Sequence, residues 1–144
     1  MRQSIKDWSW AAFVVTLLVL TARADGPSFS GRYECSGVLR GDTTVSLTFT
    51  LWLINHRAEG VGGATVALID SSQPDLLYAE FPSLSLEPGV DVQLETTVTL
   101  HREEWDRWMT GAPPRVRVTA FNPDGTEVSE MVDLVQLSAP EVLQ

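Results

Sequence analysis

Residues 43–55 read TTVSLTFTLWLIN, and apolar and polar positions alternate along them. Val45, Leu47, Phe49, Leu51 and Leu53 share one face, while Thr44, Ser46, Thr48 and Thr50 share the other. A period of two predicts a strand with one face in the core. Trp52 and Ile54 then join the polar side, so both faces end apolar. This is expected where something covers the outer face, in the middle of a sheet. Residues 64–70 form a second expected strand, with Val66 and Leu68 on one face, after a glycine-rich loop at 59–63. Residues 76–81 read as a short edge strand ended by Pro82. In residues 90–100, Val92, Leu94, Val98 and Leu100 alternate with Asp91, Gln93, Glu95, Thr97 and Thr99. That is the pattern of an antiparallel strand with a wet outer face.

Arg115 to Phe121 alternates again and leads into Asn122-Pro123-Asp124-Gly125. Proline suits the second position of a type I turn, and glycine suits the left-handed residue that closes a hairpin. The last strand, at 126–137, changes phase: Val128, Val132 and Leu134 oppose Met131, Val135 and Leu137. A bulge near Glu130 reconciles them. This strand is the candidate for an open edge that a partner strand completes. Tyr33 and Cys35 suggest a further short strand before Gly37.

One segment departs from period two. In HREEWDRWMT, residues 101–110, Trp105, Trp108 and Met109 fall on one helical stripe. Glu103 and Glu104 favour the start of such a helix, Gly111 its end, and Pro113-Pro114 forbid continuation. So short a helix must be held by its tryptophans packing on the strands. The alternative use of Trp105 and Trp108, with Trp52, is an exposed aromatic platform for carbohydrate.

About seven short strands, frequent turns and no helix long enough for parallel crossovers predict an all-β sandwich with a short helix near 102–110. Residues 46–55, 90–100 and 115–128 give the chain its resemblance to immunoglobulin-like and fibronectin type III-like domains. The paired cysteines of antibody-type domains are missing, as is a tyrosine corner. What the resemblance implies is an adhesion, spacer or assembly module.

The N-terminus carries Arg2 and Lys6, then the apolar run 11–20, then Ala22-Arg23-Ala24. The run is too short for a membrane span and suits a signal peptide cleaved after Ala24. The expected organisation is a signal peptide at 1–24, a sandwich domain at 25–138 and a loose tail at 139–144. Export to periplasm or extracellular space follows, with no membrane span after cleavage. The alternative is tethering by an uncleaved signal anchor. Ten basic residues face 19 acidic ones, a formal charge of −9. From Asp25 onward there are seven arginines, no lysine and 18 acids. That balance excludes a nucleic-acid partner, which needs a basic stripe.

Chemistry-bearing patterns are sparse. Cys35 is the sole cysteine, so no internal disulfide is available, and a buried thiol is expected. His56 and His101 stand far apart, without zinc spacing or a nucleophile elbow. The glycines at 60–63 lack the lysine and hydroxyl residue of a phosphate loop. Asp70, Asp75 and Glu80 lack the spaced ligands of a calcium loop. No metal, cofactor or catalytic residue is therefore expected, and the chain reads as a non-enzyme. The binding candidates are Trp52, Trp105, Trp108, Arg115 and Arg117. The expected partner is another envelope or secreted protein, and the alternative is a carbohydrate.

Overall fold

The computed structural model describes residues 27–122, 124–138 and 142–143. The signal segment expected at 1–24 lies outside them. The described chain is an immunoglobulin-like β-sandwich. Its elements are β1 (Phe29–Arg40), β2 (Thr44–Asn55), β3 (Val61–Ile69), β4 (Leu77–Leu86), β5 (Asp91–His101), α1 (Arg102–Met109), β6 (Arg115–Phe121), β7 (Glu127–Val132), β8 (Leu134–Gln136) and β9 (Val142–Leu143). One sheet runs β5-β2-β1-β8, with β9 also pairing β1; the other runs β4-β3-β6-β7. The long alternating strand β2 is central, as its two apolar faces require.

The inward faces follow the alternation. Val45, Leu47, Phe49, Leu51 and Leu53 of β2 are buried against Val66, Leu68, Val116 and Val118 of the facing sheet. Tyr33 stacks on Phe49 with ring centroids 5.2 Å apart. The front strand is longer than Tyr33 and Cys35 alone suggest. It spans twelve residues and passes Gly37 through a register shift between Ser36 and Leu39.

The second sheet revises two boundaries. β3 begins at Val61, inside the expected loop, with register shifts between Val61 and Val66. β4 does not stop at Pro82. Phe81 pairs with Val66 and Leu84 with Ala64, so Pro82 and Ser83 sit in an irregularity of a continuous edge strand. Ser83 takes φ 58° there. An edge strand tolerates a proline because its outward N–H has no ladder partner to lose.

Among the described residues the last strand has no bulge near Glu130, and its two apolar sets face opposite sides. β7 pairs with β6 in unbroken register from Phe121↔Glu127 to Val116↔Val132. The chain then crosses at Asp133 to the other sheet, where Leu134, Val135 and Gln136 pair in parallel with Gly31, Arg32 and Tyr33. The inward phase is kept across Asp133: Val132 faces the core from β7 and Leu134 from β8, while Met131, Val135 and Leu137 take outer positions. Gly31 permits the close approach, since a Cβ there would lie 2.5 Å from Leu134 Cδ2. Within the tail expected to be loose from 139, Val142–Leu143 pair in parallel with Val38 and Leu39.

Between β5 and β6, α1 packs its tryptophans into the core of the sandwich. The backbone N–H of His101 donates to Glu104 Oε1 at 3.1 Å, which ties down the first turn. Gly111, at φ 107°, lets the chain leave the last turn in a conformation that side chains disfavour. Trp105 and Trp108 are its buried residues.

Candidate functional site

The five binding candidates fall in three separate places. Trp105 and Trp108 are 1% and 3% exposed, which makes them core residues and no platform for a sugar. Trp108 meets Tyr78 and Phe49 edge-on, at centroid distances of 5.2 and 5.9 Å. Neither indole N–H has a hydrogen-bond partner among the described residues. Arg115 and Arg117 lie on the outer face of the β4-β3-β6-β7 sheet, opposite Ile69 and Ala67 of β3. Ile69 and Ala67 are themselves buried, as expected under the aliphatic stems of long side chains. Arg115 Nε lies 2.8 Å from Asp133 Oδ1, close enough for an ion pair but without an aligned hydrogen bond. Such a surface pair contributes little.

Trp52 is the candidate that the fold presents outward. It sits on the outer face of the β5-β2-β1-β8 sheet, where register places Val135, Arg32, Trp52 and Gln93 in one row across four strands. The next row in one direction holds Ser30, Ile54 and Asp91. In the other direction it holds Glu34, Thr50 and Glu95. Leu137 continues β8 beside this second row, its N–H donating to Tyr33 O at 2.9 Å. Val135 is 65% exposed and Leu137 48% exposed, while Trp52 and Ile54 are half-buried. Arg32 Nη2 reaches across β2 to Asp91 Oδ1 at 3.1 Å, which brings an ion pair over Trp52 and Ile54. Both partners remain nearly half exposed, so the pair is a loose cover rather than a lock. The outer face thus carries two apolar pairs, Trp52 with Ile54 on β2 and Val135 with Leu137 along β8, with Ser30, Arg32 and Glu34 of β1 between them.

A second cluster pins α1 to the sandwich. Asp70 is 2% exposed at the end of β3. Its Oδ1 accepts from the Ser72 N–H and hydroxyl and from the Gln73 N–H at 2.7–3.0 Å. Its Oδ2 accepts from the Tyr78 hydroxyl at 2.7 Å and from Arg107 Nη2 at 2.8 Å. Burial alone would raise the Asp70 pKa, but the bonds from Ser72, Tyr78 and Gln73 prevail and hold it well below the usual carboxylate range. The Tyr78 hydroxyl also lies 2.9 Å from Glu104 Oε2, and its single proton serves one carboxylate at a time. Burial, then Asp70 and Glu104, push the Tyr78 pKa up. This cluster joins β3, β4 and α1 by charged hydrogen bonds, and every carboxylate oxygen of Asp70 has a protein partner. Sequence reading treated Asp70 as a loop acid and paired it with Asp75 and Glu80.

A cavity of about 290 Å³ opens at the opposite end, lined by Phe29, Arg57, Val61, Val118, Phe121 and Glu130 among others. Glu130 turns inward there and accepts the Phe29 N–H at 3.1 Å and the Ser28 N–H at 3.4 Å. Cys35 is buried, and burial followed by the neighbouring Glu34 pushes its thiol up to about 12. A thiol so placed stays protonated and is a poor nucleophile. Among the described residues no group of three or more His, Cys, Asp or Glu is arranged to hold a metal. No helix among them is long and apolar enough to cross a membrane.

No protein-family model matches this chain, and no curated protein does. Solved structures give low-scoring likenesses. The CARDB domain of a Pyrococcus furiosus protein, crystallised with di-metal ions, aligns at 14% identity over 74% of this chain and 87% of its own, with a TM-score of 0.38. The structural-genomics target SoR45 aligns at 9% identity over 81% and 91%, with a TM-score of 0.41. A protein from Archaeoglobus fulgidus aligns at 14% identity over 72% and 90%, with a TM-score of 0.25. At these scores the fold assignment rests on the chain's own strand order.

Proposed function

We propose that this chain is an exported, non-catalytic binding module that docks another envelope or secreted protein through the outer face of its β5-β2-β1-β8 sheet. The observation that carries the reading is the two outward-facing apolar pairs, Trp52 with Ile54 and Val135 with Leu137, on either side of the polar row of β1. An aromatic and three aliphatics among polar residues have the anatomy of a protein-binding patch. Among and beside these pairs stand Glu34, Asp91 and Glu95 against the single Arg32, so the matching partner surface combines apolar side chains with basic ones. With Trp105 and Trp108 buried, Trp52 has no ring partner among the described residues, and carbohydrate binding loses its support.

The test is purification of the full chain from its own host under native conditions, beside Val135→Glu and Trp52→Ser variants of unchanged secondary structure. A stoichiometric partner retained by the parent and lost by both variants is the expected result. Equal retention by all three removes the face from consideration. An intact mass beginning at Asp25 supports export with cleavage, and a full-length mass in the membrane fraction supports the anchored form.

A further inference from the structure

Three long strands form open edges among the described residues: β4, β5 and β7. Exposed edges invite pairing with other chains unless something blunts them. β4 carries Pro82 and the irregularity at Ser83. β7 carries Glu130, an inward-pointing charge whose carboxylate is bonded to the start of β1. The edge proposed from sequence at 126–137 is therefore guarded. β5 has no such device. Its eleven residues run without a register shift against β2, from Thr44↔His101 to Ile54↔Asp91.

The direction of its backbone groups follows from one bond. Arg102 N–H donates to Thr43 O at 3.0 Å, continuing the same register. Hydrogen-bonded and non-bonded pairs alternate along an antiparallel ladder. Even-numbered residues of β5 thus bond to β2, and odd-numbered ones turn their N–H and C=O to the free edge. His101 agrees, since its N–H bonds Glu104 instead of β2. Gln93, Glu95, Thr97 and Thr99 remain as a row of outward donors and acceptors.

We propose that a second copy of this chain pairs antiparallel along β5, with the two-fold axis at Thr96. In this register the outward-pointing residues meet as hydrogen-bonded pairs, Gln93 with Thr99 and Glu95 with Thr97. On the inward face Val92 meets Leu100 and Leu94 meets Val98. Asp91 meets His101, and no two like charges stand opposite each other. The strand is self-complementary in hydropathy and charge about its own centre. Moving the axis to Glu95 sets two carboxylates face to face, which is destabilising. Moving it to Thr97 leaves Asp91 and Val92 beyond the end of the partner strand. The pairing is isologous and closes at two copies. It leaves the face around Trp52 open, so it stands or falls separately from the docking of another protein.

The test is native mass spectrometry and sedimentation of the full chain across a concentration series, with three variants at one position. Thr97→Pro removes an outward N–H without touching the β2 ladder. Thr97→Glu sets a like charge against Glu95 of the second copy, twice by symmetry. Thr97→Lys sets an opposite charge there. The expected result is a concentration-dependent dimer, weakened about tenfold by Thr97→Glu. Thr97→Pro abolishes it, and Thr97→Lys preserves or tightens it. A monomer at every concentration overturns the proposal, as does a dimer that the two charged variants leave unchanged. Equal loss in both overturns the register. The charged pair decides even where Thr97→Pro fails to fold.

Discussion

Replacing Asp70 by asparagine tests how α1 is held. The side chain is nearly isosteric, but it presents an NH₂ group where Oδ2 now accepts from Tyr78 and Arg107. The Tyr78 hydroxyl can turn its proton to Glu104 and accept instead, but the Arg107 guanidinium only donates and would lose its carboxylate. Breaking one side of a buried charged pair costs about 3–5 kcal/mol. Because the Arg107 side chain is 43% exposed and can rehydrate, the expected loss is nearer the lower end, about 3 kcal/mol. In a domain of this size that lowers the melting temperature by roughly 10 °C. The loss also depends on pH. A carboxylate whose folded pKa lies below its unfolded value stabilises the fold fully above the unfolded pKa. That contribution fades as pH falls toward the folded value. Asp70 is depressed, so the gap between parent and Asp70→Asn is widest near neutrality. It narrows between about pH 5 and about pH 2. Urea denaturation across that range, with both proteins in the same buffers, measures it. A gap below about 1 kcal/mol at neutral pH, or one that widens in acid, refutes the reasoning.

Trp108→Ala removes a buried indole from between Phe49 and Tyr78, and urea titration should show a loss of about 3–5 kcal/mol. Trp52→Ser, on the outer face, should cost under about 2 kcal/mol in the same assay while abolishing partner retention. Ser83→Gly relieves a positive φ and should raise stability by about 1 kcal/mol, whereas Ser83→Val should lower it by at least as much. The buried Cys35 thiol should react with an alkylating reagent near neutral pH only at the rate at which the chain opens, with denaturant accelerating the reaction.

Alternation placed β2, β5 and β6 within a residue or two of their observed ends, because each keeps a period of two along most of its length. It also placed α1, whose tryptophans repeat at helical spacing. It failed at Pro82 and Ser83, where an edge strand absorbs the defect, and at Asp133, where the chain changes sheet without changing phase. Apolar residues on an outer face, such as Val135 and Leu137, look the same in sequence as a strand that has shifted by one. The outer face was half legible. Trp52 and Ile54 stood out as apolar residues on a polar face, but Val135 and Leu137 join that face only through the parallel pairing of β8 with β1. Asp70 and Tyr78 carried no sequence signal, since eight residues and a turn separate them.

The parallel contact of β8 with β1 bears on how the domain responds to force. β1 leads in from the N-terminal side and β8 leads out toward the C-terminal side, and the two lie side by side in the same direction. Tension applied through the two ends would drag these strands lengthwise past each other, loading their hydrogen bonds together in shear. A hairpin pulled at its open end would instead release its bonds one after another. A domain strung between an attachment at its N-terminal end and a cargo at its C-terminal end would thus resist stretching at the short seam where β1 meets β8.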